Sequence, residues 1–84
     1  MRIIIGSDHA GFDLKEEIKV FLSQELGHDV EDVGVYSRES ADYPPIAHQV
    51  ANEISANRFA FGILICGTGI GMSIVANRHR GIRA

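Results

Sequence analysis

Residues 61–73 read Phe61-Gly62-Ile63-Leu64-Ile65-Cys66-Gly67-Thr68-Gly69-Ile70-Gly71-Met72-Ser73, and they hold the single cysteine of the 84-residue chain. An apolar run ends in a thiol, three alternating glycines follow, and the pattern then turns helical. Glycines bring bare backbone close to a ligand, and amides at a helix mouth attract anions. A thiol facing such donors is a candidate for chemistry. The residues alone leave two readings of Cys66 open, a reactive thiol or a small buried hydrophobe. Neither standard nucleotide motif is met. The dinucleotide fingerprint would need a glycine at Met72, and a phosphate-cradling P-loop would need a Gly-Lys-Ser/Thr that is absent.

Two further stretches carry polar chemistry. Ser7-Asp8-His9-Ala10-Gly11 follows an apparent first strand, and open parallel sheets bind ligands outside the carboxyl ends of their strands. Asp8 and His9 could serve as a simple turn, but two hydrogen-bonding side chains at a strand end favour a functional reading. Asp42-Tyr43-Pro44-Pro45 closes an irregular loop. Tyr43 could line a site there, although sealing the core is the simpler role. His9, His28, His48 and His79 are scattered, with no pair at i, i+4 and no cysteine partner, so their spacing gives no metal motif.

These residues need elements to position them. Ile3-Ile4-Ile5 reads as a buried strand ending at Gly6. Leu14, Ile18, Phe21, Leu22 and Leu26 mark one buried face of a helix, with Lys15, Glu16, Glu17 and Lys19 solvated beside it and Gly27 at its C′ position. His28 falls in the exposed turn after that helix. Asp29 to Val33 suits an edge strand. Ile46, Ala47, Val50, Ala51 and Ile54 give a second helix, opened by a proline and ending near Asn57, with His48 and Gln49 facing solvent. Ala60 to Cys66 lacks polar alternation, which predicts a strand buried on both faces. A third helix runs through Ile74, Val75 and Ala76 to a closing segment, Asn77-Arg78-His79-Arg80-Gly81, in which Asn77, Arg78 and Arg80 suit the helix end. Ile82-Arg83-Ala84 reads as the opening of a fourth strand. The expected fold is one domain over residues 1–84, an α/β/α three-layer, Rossmann-like parallel sheet truncated after the third βα unit.

Composition narrows the function classes. A net charge of −3 argues against nucleic acid as a partner. All eleven acidic residues lie at or before Glu53, where four basic ones leave −7, whereas from Ile54 onward four arginines and no acid give +4. That asymmetry hints at an anionic ligand or an acidic neighbouring chain near the C-terminal half. One cysteine permits no internal disulfide, which fits a reducing compartment. No stretch is membrane-spanning in length, and Met1-Arg2-Ile3 passes straight into a strand without signal-peptide architecture. A cytoplasmic protein with no membrane partner is expected.

Gly6-Ser7-Asp8-His9-Ala10-Gly11, Asp42-Tyr43-Pro44, and Cys66-Gly67-Thr68-Gly69-Ile70-Gly71-Met72-Ser73 with Ala76-Asn77 and Gly81-Ile82-Arg83-Ala84 together resemble ribose-5-phosphate isomerase B and its galactose- and allose-6-phosphate isomerase relatives. The resemblance covers the whole chain. It implies aldose–ketose isomerisation of a phosphorylated sugar, ribose 5-phosphate to ribulose 5-phosphate first, without metal or organic cofactor. In such a reaction a base takes the proton beside the carbonyl, leaving a cis-enediolate. Cys66 matches the family's cysteine base. The position that bears a glutamate base in other members is Met72 here.

By the same resemblance Thr68 assists ring opening, Asp8 and Tyr43 contact substrate, and His9 lies near the phosphate. Gly67, Gly69, Gly71, Met72 and Ser73 form the binding loop, whose amides from Gly67 to Gly71 would hold the enediolate oxygens. A homo-oligomer, dimer or tetramer, is implied, as is a place in the pentose phosphate pathway. The family continues through further strands and a long C-terminal helix, with a histidine-asparagine pair and phosphate-gripping arginines that match nothing in these residues. The expected alternative is therefore a catalytically incomplete half-domain that binds a sugar phosphate or serves a structural role.

Overall fold

The computed structural model describes residues 1–84. The β-branched run at the start forms β1 (Arg2–Ser7), in which every residue from Ile3 to Ser7 is buried. It is the centre of a three-stranded parallel sheet ordered β2-β1-β3, flanked by β2 (Asp29–Asp32) and β3 (Phe61–Ile65). Ile3 lies opposite Val30 on one side and Phe61 on the other. The helices are α1 (Phe12–Val20), extended by a π-helical turn over Phe21–Glu25, α2 (Pro44–Ser55) and α3 (Ile70–Asn77). No helix is long and apolar enough to cross a membrane.

The helices cover both faces, which makes the three layers. α2 lies so close over the sheet that a Cβ at Gly6 would stand 2.5 Å from Ile46, and one at Gly62 would stand 2.8 Å from Val50. Ala47, Met72 and Val75 form the core between α2 and α3, with Tyr43, Ile46, Leu64 and Cys66 packed against it. Ile65 alternates to the opposite face of β3, where it meets Gly11 at the start of α1.

Several expectations from the sequence are corrected. β3 is not buried on both faces. It is an edge strand, with Phe61 and Gly62 exposed and Ile63 to Ile65 half-buried, because no element lies beyond it. Ile82-Arg83-Ala84 forms no strand. Asn77 holds this segment instead of capping its helix, donating to the Ala84 carbonyl at 3.2 Å and accepting from its amide at 2.8 Å. The prolines open α2 from inside its first turn, and that helix ends at Ser55.

The largest departure is on α1. Its predicted apolar face is half open, with Leu14, Phe21 and Leu26 more than half exposed, since one helix covers that side of the sheet. Lys15, expected in solvent, is fully buried. Its ammonium lies 2.6 Å from Asp32 Oδ2, which Lys19 also reaches at 2.7 Å, and Glu16 lies 2.8 Å from Lys19. Burial works against the Asp32 charge, but hydrogen bonds from Lys15, Lys19 and the Gly34 amide outweigh it and hold the carboxyl below its usual range. The Lys19 hydrogen bond likewise lowers Glu16, and Asp32 raises Lys19.

Candidate active site

In a parallel sheet the carboxyl ends of β1 and β3 lie side by side, so the loops that follow them meet. The Asp8 amide donates to the Ile65 carbonyl at 3.1 Å. A Cβ at Gly11 would stand 2.6 Å from Ile65 Cγ2, and one at Gly67 would stand 3.9 Å from Ala10. The Asp8 turn is thereby pressed against the thiol-bearing loop. Asp8 is buried, and one carboxylate oxygen takes the Gly11 amide at 3.0 Å. The other oxygen has no partner in the chain. The turn-forming and ligand-binding readings of Asp8 are thus compatible, one for each oxygen.

Cys66 is half-buried, and its Sγ accepts the Gly69 amide at 2.9 Å. The sulfur is the acceptor in this contact. Gly69 can point its amide backward because its φ is +79°, a left-handed conformation that favours glycine. The Ile70 amide donates to Thr68 Oγ1 at 3.2 Å. Two amides of the expected anion cradle are therefore spent on the loop's own side chains. The N–H groups of Gly67, Thr68 and Gly71 make no hydrogen bond within the chain and remain for ligand oxygens.

Tyr43 immediately precedes α2, and its ring lies on Gly71. A Cβ there would be 2.5 Å from Cζ and 2.6 Å from the hydroxyl oxygen. Its body packs on the α2–α3 core while its hydroxyl reaches the glycine loop, so it combines the two roles the sequence left open. His9 stands apart, exposed, with Nδ1 3.2 Å from the Ala41 amide nitrogen. Met72, expected in the binding loop, buries its side chain in the core at 1% exposure. The Ser73 hydroxyl is occupied by the Ile70 carbonyl at 2.8 Å.

Some neighbours of the site were not singled out as site residues by the sequence. The Ser7 hydroxyl, beside Asp8, is fully buried without a partner. The Gly34 carbonyl accepts the Ser7 amide at 2.8 Å, and the Gly34 amide rests on Asp32 Oδ1 at 2.8 Å. The buried Lys15–Asp32 pair is therefore wired to the strand end that carries Asp8. A hydrogen-bonding serine at a strand end looks like any turn residue in sequence. The largest concavity, about 390 Å³, does not open on Cys66. It runs along the free edge of β3 past Leu64, Met72, Ala76 and Ile82 and touches the loop at Gly69.

The fold and site define a Rossmann-like α/β protein whose glycine loop, at the carboxyl end of its sheet, carries a thiol and unpaired amides. Residues 3–84 match the family model described as Ribose/Galactose Isomerase, and the chain belongs to that family. It is 51% identical over 83 residues to ribose-5-phosphate isomerase B of Escherichia coli (strain K12), covering 99% of this chain and 55% of that protein. It is also 43% identical over 88 residues to a 4-deoxy-4-sulfo-D-erythrose isomerase of Clostridium sp. (strain MSTE9), covering 100% of this chain and 53% of that one. A solved structure of Clostridium thermocellum ribose-5-phosphate isomerase B superposes with a TM-score of 0.94 at 48% identity, covering 99% of this chain and 55% of the other. The chain thus spans about half the length of the curated relatives it matches.

Proposed function

We propose that the chain supplies the proton-transfer half of an aldose–ketose isomerase acting on a phosphorylated sugar, with ribose 5-phosphate and ribulose 5-phosphate as the pair. The observation that carries this reading is the Cys66 sulfur, held as an acceptor by the Gly69 amide among the unpaired amides of Gly67, Thr68 and Gly71. The Cys66 thiolate removes the proton from C2 of the open-chain aldose, and the electron pair of that C–H bond forms the enediolate double bond as the carbonyl oxygen becomes an oxyanion. The spare amides stabilise that oxygen. The thiol, whose proton exchanges with water, then protonates C1 while the C2 hydroxyl proton passes to the O1 oxyanion, leaving a C2 carbonyl and a C1 hydroxyl, the ketose.

Asp8 and the Tyr43 hydroxyl orient the sugar hydroxyls, Thr68 assists ring opening, and His9 lies toward the phosphate. No metal or organic cofactor takes part. The names of the relatives support the reaction class, and one of them acts on a sulfonated sugar. Galactose or allose 6-phosphate is the alternative substrate. The working form is a cytoplasmic homo-oligomer. A second reading, a half-domain that binds sugar phosphate without turning it over, is favoured by one observation, the open edge of β3 beside an apolar groove.

An isomerase assay with ribose 5-phosphate on the folded 84-residue chain separates the two readings. Ribulose 5-phosphate formed by the chain and reduced about 10²–10⁴-fold in Cys66→Ala is the expected result. Binding without turnover would move the half-domain reading ahead.

A further inference from the structure

The histidines that show no metal spacing in the sequence do not stay scattered in the fold. His48, near the start of α2, and His79, just after α3, are joined by a hydrogen bond of 2.8 Å between Nδ1 and Nε2, one ring donating and the other accepting, with ring centroids 5.0 Å apart. His48 is exposed and His79 half-buried, so the pair opens to solvent and to dissolved ions. Nothing in the proposed isomerisation uses either residue.

We propose that His48 and His79 form a two-histidine site for a divalent transition-metal ion of square-planar or octahedral preference, Ni²⁺ or Cu²⁺ in class. Metal–imidazole bonds are about 2.0–2.1 Å long. When the proton between them moves to the far ring nitrogen and each ring turns its lone pair onto a shared ion, two nitrogens kept 2.8 Å apart subtend about 85–90° there. That is the cis angle of a square or octahedral centre, and it is narrower than a tetrahedral zinc site needs. No third histidine, cysteine or carboxylate converges on the pair, so water completes the shell. Arg78 and Arg80 flank His79 in sequence and oppose a dication, which keeps the affinity low and calls for metal in excess.

The two ligands sit on different segments. Ser55 on α2 already donates to the Arg80 carbonyl at 3.1 Å, and a metal on the histidines would add a second tie between α2 and the chain after α3. The unfolded chain has no such preformed pair, so binding stabilises the fold.

Thermal unfolding of the chain with rising NiCl2 tests the site. The expected result is a Tm that climbs with Ni²⁺ in the wild type and in His28→Gln, and that stays flat in both His48→Gln and His79→Gln. His28 is the informative control, because its Nδ1 lies 3.2 Å from the terminal amine and forms the competing nitrogen pair. A flat wild type, or a climb that survives in either variant, overturns the proposal. Should a variant not fold, NMR of the intact chain with substoichiometric Ni²⁺ decides. The proposal requires the imidazole signals of His48 and His79 to broaden first, and broadening led by His9 or His28 overturns it.

Discussion

A methyl group at residue 71 would sit 2.5 Å from Tyr43 Cζ, whereas one at residue 69 would meet nothing within 4 Å. The two glycines of the thiol loop are therefore required for different reasons, and substitution separates them. Gly71→Ala must push the Tyr43 ring aside and should cost about 1–3 kcal/mol by overpacking. In a Tyr43→Ala background that penalty should nearly vanish. Gly69→Ala forces an L-residue to a φ of +79° and should cost about 1–2 kcal/mol whether or not the tyrosine ring is present. Urea unfolding of the three single and two double variants reads both terms as a coupling energy. The sequence made the loop and its thiol legible, since an apolar run, a cysteine and alternating glycines are all local. It could not show which glycine served which purpose, because Tyr43 arrives from a distant loop. The burial of the Met72 side chain was hidden for a related reason. The residue shares the loop's sequence, but its position on α3 turns its side chain to the core.

At the scale of elements, the tie between α1 and β2 is electrostatic. Lys15 is fully buried, and removing Asp32 leaves its charge with only the longer 3.4 Å contact to Glu16. Asp32→Asn should therefore cost about 3–5 kcal/mol, well above Lys15→Met, which leaves Asp32 paired with Lys19. Chemical denaturation of both variants checks the order, and equal losses would contradict the assignment. The pH response has a definite sign. Asp32 is depressed below 3.8 in the folded state, so its contribution is intact above that value and lost as pH falls through the lower folded pKa. Lys19 is raised above 10.5, so its contribution is lost as pH climbs past that value through the higher folded pKa. Asp32→Asn should flatten the acid limb of a stability–pH curve. Helical periodicity located α1 and an apolar face correctly. It could not say that this face lacks a full cover, nor that a lysine beside it would bury against an aspartate from another strand.

At the scale of the whole molecule, β3 leaves a row of backbone groups free at the sheet edge, and Phe61 is 60% exposed at its start. Open apolar edges pair with other strands, and a chain this small buries only about 60% of its unfolded surface. Association should therefore strengthen the fold. Sedimentation equilibrium should show a mass that rises with concentration, and Phe61→Lys should weaken that rise without unfolding the chain. The parallel α/β class and the edge position of β2 were legible in strand composition. Strand order was not, because an apolar run is the same string of letters in a centre strand and in an edge strand. The account as a whole rests on proton abstraction by Cys66, and release of deuterium from [2-²H]ribose 5-phosphate tests it most directly, since it registers the first bond broken even if product does not accumulate. The account predicts release by the wild-type chain and a loss of about 10²–10⁴-fold in Cys66→Ala. Equal release from the two proteins would contradict it.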